Sequence, residues 1–203
     1  MARTMQDVKV LIDKLNRENA LSLDEWEEII RGRCEQVAEY AAEIARKRSQ
    51  EIFGNKIYTR GLIEISNYCR NNCLYCGIRR DNRQVRRYRL SREDILSCAD
   101  VGAELGFRTF VLQGGEDAYY TDEIMCDLIQ EIKKHHPDCA ITLSLGERSE
   151  KSYRLMKEAG ADRYLLRHET ADKHHYESLH PEEMDFDHRI QCLYTLKDLG
   201  YQV

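Results

Sequence analysis

From residue 58 the sequence repeats one pattern, a short apolar run followed by an amphipathic stretch of helical period. The runs are 59–66, 108–113, 140–145 and 163–167, and the helical stretches are 92–105, 121–135, 149–159 and 187–199. Ser91 and Ser149 stand where N-caps belong, and Gly106, Gly160 and Gly200 follow three of the helical stretches as stop signals. Parallel neighbours can be joined only by a long return, so strands that alternate with crossover helices imply a parallel sheet with helices outside it. The fold class is therefore α/β, with about four βα units, and Tyr201-Gln202-Val203 opens a fifth strand. A closed (βα) barrel needs roughly 250 residues for its eight strands, so the 203 residues here suit either an open doubly wound domain or the N-terminal part of a barrel. Ending three residues into a strand leaves an apolar edge unpaired, which favours a truncated, partial TIM-type barrel.

Residues 5–48 precede this pattern and read as three helices. Val8, Leu11, Ile12 and Leu15 recur at helical spacing, Ser22-Leu23-Asp24-Glu25 has the form of a capping box, and Val37, Ala38, Ala41, Ile44 and Ala45 share one face. The expected organisation is an N-terminal helical extension over 1–56 and the barrel domain over 57–203. A hydrophobic share of 42% with 33% charged residues describes an ordinary globular protein. The net charge of −5 argues against a nucleic-acid or membrane partner. No apolar run approaches the ~20 residues of a membrane span, and Met1-Ala2-Arg3-Thr4 leads into a polar stretch instead of a signal peptide, so a cytoplasmic location is expected.

In parallel α/β folds ligands bind beyond the carboxyl ends of the strands. The loops that fall there are Cys69-Arg70-Asn71-Asn72-Cys73-Leu74-Tyr75-Cys76, Gln113-Gly114-Gly115-Glu116-Asp117, Ser144-Leu145-Gly146-Glu147 and Arg167-His168-Glu169-Thr170. Three thiols within eight residues of a reduced cytosolic chain form a ligand set before they form disulfides. Structural zinc wants a fourth ligand, yet the next cysteine, Cys98, lies inside a helical stretch and the first histidine is His135. A cubane iron–sulfur cluster held by three cysteines keeps one iron open, and the spacing favours it over zinc or inert thiols. Cys34, Cys98, Cys126, Cys139 and Cys192 read as small buried apolar residues. Arg167 reads as a site residue beside Glu169, whereas His174, His175 and His180 read as solvated. The arginines at 79, 80, 83, 86, 87 and 89 read as a solvated connection after the cysteines.

The C-x3-C-x2-C spacing with Tyr75 before the last cysteine, and the Gly114-Gly115-Glu116 turn one βα unit later, resemble the signature of the radical S-adenosylmethionine (SAM) superfamily. Three longer segments resemble the FeFe-hydrogenase maturase HydE family within it. They are Asn72-Cys73-Leu74-Tyr75-Cys76-Gly77-Ile78-Arg79-Arg80-Asp81-Asn82, Thr142-Leu143-Ser144-Leu145-Gly146-Glu147 and Arg163-Tyr164-Leu165-Leu166-Arg167-His168-Glu169-Thr170. The resemblance implies a barrel in which Cys69, Cys73 and Cys76 hold a 4Fe–4S cluster whose open iron is chelated by SAM. It further implies Tyr75 near the adenine, Gly115 and Glu116 at the methionine amino group, Ser144 and Glu169 as further SAM contacts, and Arg189 on the methionine carboxylate. Thr142 and Arg167 would face a substrate cavity. The implied reaction is reductive cleavage of SAM to a 5′-deoxyadenosyl radical that serves assembly of the di-iron subcluster. Its substrate would be a small organometallic or amino-acid-derived species, its electron donor a flavodoxin or ferredoxin, and its partners other hydrogenase maturation proteins. The same motifs also suit biotin or methylornithine synthesis, or a non-catalytic metal-binding fragment.

Overall fold

Apolar side chains alternate along each strand, and that alternation decides which face of the sheet the helices cover. The computed structural model describes residues 4–203. From Thr59 to Val203 it forms one unit, in which four parallel strands lie side by side in chain order: β1 (Gly61–Ser66), β2 (Thr109–Gly114), β3 (Ala140–Ser144) and β4 (Arg163–Tyr164). Ile63 and Ile65, Phe110 and Leu112, Ile141 and Leu143, and Tyr164 point to one face. There they share a core with Ile95 and Ala99, Met125 and Ile129, Tyr153 and Met156, and Cys192 and Leu196. These partners sit on α4 (Arg92–Glu104), α5 (Asp122–His135), α6 (Glu150–Glu158) and α8 (Phe186–Asp198). Ile65, Ile95, Ile129 and Ile141 are fully shielded, and burial of each contributes about 1.5–3 kcal/mol, well above any difference in helix propensity.

The remaining strand positions lie in register on the opposite face: Leu62 beside Val111, Glu64 beside Gln113, Val111 beside Thr142, and Gln113 beside Ser144. A doubly wound domain carries helices on both faces and reverses its strand order. This sheet does neither, so the fold is a partial (βα) barrel with the sheet open. Gln202 forms a parallel bridge to Arg163, and Arg163 Nε donates to Gln202 Oε1 at 2.6 Å, so the fifth strand begins where the sequence placed it.

Two elements differ from the sequence expectation. The fourth run is ladder-paired only at Arg163–Tyr164; Leu165 N–H still donates to Leu143 O at 2.8 Å, but Arg167, His168 and Glu169 are exposed beyond the sheet. A helix α7 (Lys173–Leu179) also stands in the stretch read as solvated. Asp172 caps it by accepting from His175 N, and Tyr176 is its one buried residue. Seven residues with a single apolar anchor are too few to show a period.

The other unit, ending at Tyr58, contains α1 (Met5–Glu18), α2 (Leu23–Arg31) and α3 (Glu35–Phe53). Thr4 with Asp7 and Ser22 with Glu25 form capping boxes, and Val8, Ile12 and Val37 form a small core.

Candidate functional site

The loop that follows β1 contains no helix or regular strand between Asn67 and Tyr88, so its shape depends on side chains that reach its backbone. Arg87 is the chief of these. Its guanidinium donates to the carbonyls of Ile78 at 2.8 Å, Arg79 at 2.7 Å and Asn82 at 3.1 Å, and also to Asn67 O, which joins the two ends of the cysteine segment. Arg89 forks onto Asp117 at 2.7 and 2.9 Å, and Ser66 Oγ donates to the same carboxylate at 2.6 Å. Burial works against ionisation of Asp117, yet Arg89, Ser66 and the Tyr119 N–H outweigh it and hold its carboxyl below the usual range. Arg87 is therefore a half-buried fastening of the loop and not a solvated charge, and Arg89, though exposed, is fixed by its fork onto Asp117; Arg80, Arg83 and Arg86 are exposed as expected.

Cys69, Cys73 and Cys76 are free and half-buried on this loop. The loop presses against the end of β2 at Gly115, where a β-carbon would lie 2.7 Å from Cys69 Cβ and run into Tyr68 O. Arg70 N–H donates to Glu116 O at 3.0 Å, and Leu74 N–H to Leu179 O at 2.9 Å. Cys73 Sγ lies 3.5 Å from Met184 Sδ. Burial, together with charge on Cys69 and Cys76, pushes the Cys73 thiol up to about 11, and burial likewise raises Cys69. Of the other cysteines, Cys139 and Cys192 are buried as expected and Cys126 is half-buried, whereas Cys98 on α4 and Cys34, the residue before α3, are exposed.

Around the cysteines stand the other residues singled out from sequence. Tyr75 OH lies 3.3 Å from His180 Nε2, whose Nδ1 lies 2.8 Å from Tyr176 O and whose ring stacks on Tyr176 at 3.8 Å. His180, read as solvated, is thus buried, because α7 carries Tyr176 beneath it. Burial first, then Cys73 and Glu169, push the Tyr75 phenol up, with Arg189 acting the other way. Glu169 adopts the left-handed conformation, φ 65°, and is exposed.

Glu116 accepts from Arg70 Nε at 2.9 Å and, through Oε1, from Glu147 N–H at 2.9 Å. Arg189 is buried at the start of α8 with Nε 2.6 Å from Glu147 Oε1 and Nη2 4.0 Å from Glu116 Oε1. The Glu147 contact is an ion pair out of line for a hydrogen bond, since neither Nε nor Oε1 has a hydrogen-bond partner. Burial opposes charge on Arg189, but Glu147, Tyr176 and Glu116 more than offset it and raise its pKa. On the face away from the helices Ser144 and Thr142 are buried, and Thr142 Oγ1 has no protein partner. Arg167 Nη2 donates to Gln113 Oε1 at 3.0 Å, and Gln113 Nε2 to Glu64 Oε1 at 3.3 Å; Arg167 thus pairs with Gln113 and not with its neighbour Glu169.

These residues do not all line one cavity. A cavity of about 580 Å3 at the rim is bounded by Arg70, Glu116, Glu147, Arg148 and His188, and of the residues that the resemblance assigns to the cluster, SAM or substrate only Glu116 borders it. Sequence reasoning placed Glu147 at the rim without a role, read Arg87 and His180 as solvated, and missed Met184. Glu147 had a signal, as a carboxylate directly after a strand-ending glycine; the others are distinguished only by what they reach.

The family model described as "Radical SAM superfamily" matches residues 63–203. The chain belongs to the radical SAM superfamily. It is 44% identical over 200 residues to the [FeFe] hydrogenase maturase subunit HydE of Thermotoga maritima, over 95% of this chain and 54% of that protein. It is 31% identical over 183 residues to 3-methylornithine synthase of Methanosarcina acetivorans, over 89% of this chain and 51% of that one. Among solved structures it superposes on HydG, a maturase of the [FeFe]-hydrogenase, with a TM-score of 0.86 and 25% identity, over 98% of this chain and 45% of that chain. This radical SAM chain spans about half the length of the curated relatives it matches. Radical SAM proteins use a 4Fe–4S cluster and SAM. The donor set here fits the cluster: three unpaired, half-buried thiols that sense one another's charge. Among the described residues no three His, Cys, Asp or Glu side chains are gathered closely enough to hold a single metal ion. The same described residues contain no helix long and apolar enough to cross a membrane.

Proposed function

We propose that Cys69, Cys73 and Cys76 hold a 4Fe–4S cluster with one iron free of protein ligands, and that SAM binds beside it at Tyr75, Gly115, Glu116, Ser144, Glu169 and Arg189. The observation that carries this reading is the fastening of three free thiols against the Gly115–Glu116 turn at the carboxyl rim of the sheet. When bound, the cluster supplies one electron that cleaves the sulfonium of SAM to methionine and a 5′-deoxyadenosyl radical. The chain's own part is to bind and orient. Glu116 offers a carboxylate to an ammonium group, Arg189 a guanidinium to a carboxylate, and the backbone approach permitted by Gly115 brings both next to the thiols. Met184 touches the loop at Cys73 and the buried Tyr176–His180 stack touches it at Tyr75, which itself stays exposed.

The 44% identity to HydE supports a role for the whole protein in FeFe-hydrogenase maturation, in the cytoplasm, with a flavodoxin- or ferredoxin-type electron donor and other maturation proteins as partners. The substrate would be a small organometallic or amino-acid-derived species contacting Thr142 and Arg167. The unpartnered Thr142 hydroxyl and the Glu64–Gln113–Arg167 row favour a polar ligand on that face. The likeness to 3-methylornithine synthase supports a second reading, another SAM-radical reaction on an amino-acid-derived substrate.

Anaerobic reconstitution with iron and sulfide tests the proposal. We expect about four irons per chain, a brown chromophore and release of 5′-deoxyadenosine from SAM on reduction. Cys69→Ala, Cys73→Ala and Cys76→Ala should each abolish the chromophore, and retention of that iron in the triple variant would refute it.

A further inference from the structure

Glu147 reaches both ends of the charge array at the rim. Its backbone N–H donates to Glu116 Oε1 at 2.9 Å, and its side-chain Oε1 lies 2.6 Å from Arg189 Nε. The approach is possible because Gly146, in the left-handed conformation at φ 74°, has no β-carbon; one built there would occupy the space of the Glu116 side chain. Gly146 Cα thus lets the Glu116 carboxylate lie across the end of β3, and the next residue grips it.

The contact with Arg189 is an ion pair on one side of the guanidinium. Glu147 faces the Nε side of the guanidinium, Nη1 donates to Arg167 O at 3.3 Å, and Nη2 stands 4.0 Å from Glu116, the longest ion-pair distance in the array. With Glu147 beside Nε and Arg167 O on Nη1, Nη2 is the terminal nitrogen left for a further acceptor. Arg189 and Glu147 side chains are 8% and 12% exposed; a charge so buried needs a partner whether or not a ligand is present. From this geometry we infer that Glu147 is the positioning residue for a zwitterionic amino-acid head group: its side chain aims Arg189 at the ligand's carboxylate while its backbone N–H aims Glu116 at the ligand's ammonium. The site then discriminates against a ligand that lacks either charge of that head group. His188, 3.7 Å from Glu147 Oε2, lies on the outer side of the same carboxylate and adds no contact to Arg189.

This inference rests on the reading that Glu116 and Arg189 receive the methionine end of SAM. Its test compares two nucleoside thioethers on the anaerobically reconstituted protein by calorimetry: S-adenosylhomocysteine, which carries the amino-acid head group, and 5′-methylthioadenosine, which does not. Wild type should prefer S-adenosylhomocysteine. Glu147→Ala should weaken that ligand by about tenfold or more, since it leaves Arg189 buried and unaimed, with 5′-methylthioadenosine affinity unchanged. Glu147→Gln, which keeps an acceptor toward Nε, should restore part of the loss. Melting curves of both variants check the fold. Discrimination that survives in Glu147→Ala, or equal loss of both ligands in Glu147→Ala and Glu147→Gln, would overturn the role of Glu147 while leaving the cofactor reading in place. A wild-type protein that does not distinguish the two ligands would overturn both.

Discussion

A single arginine gives the cysteine loop most of its order. Arg87 satisfies four backbone carbonyls that no helix or strand would satisfy, and hydrogen bonds from a charged donor are worth more than neutral ones, about 1.5–3 kcal/mol each. Lysine carries the same charge but cannot span four acceptors with a planar fork. Arg87→Lys should therefore retain the fold yet raise amide hydrogen exchange across residues 69–82, and Arg87→Ala should do so further and lower the iron content after reconstitution. Exchange in Arg87→Lys equal to wild type would show that the loop is ordered by its other contacts, such as Arg80 N–H to Asn71 O at 2.8 Å. At the same scale Asp117 joins the loop's exit to β1 through Arg89 and Ser66. Its depressed pKa means that this support is present above the ordinary carboxylate range and is lost as the pH falls through it.

Among the elements, α4 and β2 show how closely helix and sheet meet. Gly102 is buried inside α4, and a β-carbon there would lie 2.7 Å from Phe110 Cε1. Alanine is the better helix former by about 1 kcal/mol, but forcing a methyl against a ring with 1% exposure costs typically 1–3 kcal/mol. Packing wins, so Gly102→Ala should lower the melting temperature. A rise would mean that Phe110 can move aside without loss. The consequence extends to the site, because β2 carries Phe110 at one end and the Gly114–Gly115–Glu116 turn at the other. α7 has the complementary position: short and marked by one buried residue, it still supplies Tyr176 beneath His180 and the Leu179 carbonyl that receives Leu74 N–H.

For the whole molecule, the placement of thiols in a half-buried loop couples metal loading to pH. The Cys73 thiol is pushed from 9.0 up to about 11, by burial first, and Cys69 is raised in the same way. Cluster ligation requires thiolates and so releases protons; iron uptake at fixed iron and sulfide should therefore speed up between pH 7 and pH 9. The metal-free protein has the opposite dependence. Its folded thiols hold protons that the unfolded chain gives up, so their effect on stability is fully felt as the pH rises from about 9 to about 11, where the fold weakens. Uptake that falls with pH over the first range would contradict this. The sequence by itself determined the alternation of strands and helices, the caps at Ser22, Ser91 and Ser149, and the common rim of the cysteine loop, Glu116, Ser144 and Glu169, because period, capping and strand polarity are local properties. The tertiary structure decided the rest: helices on one face only, burial of His180 on Tyr176, the turn of Arg87 from solvent onto the loop's carbonyls, the pairing of Arg89 with Asp117, and the joining of Arg189 to Glu116 through Glu147. Those outcomes depend on which side chains and carbonyls meet in three dimensions, 4 residues apart for Tyr176 and His180 but 31 for Glu116 and Glu147, and no spacing rule fixes such meetings.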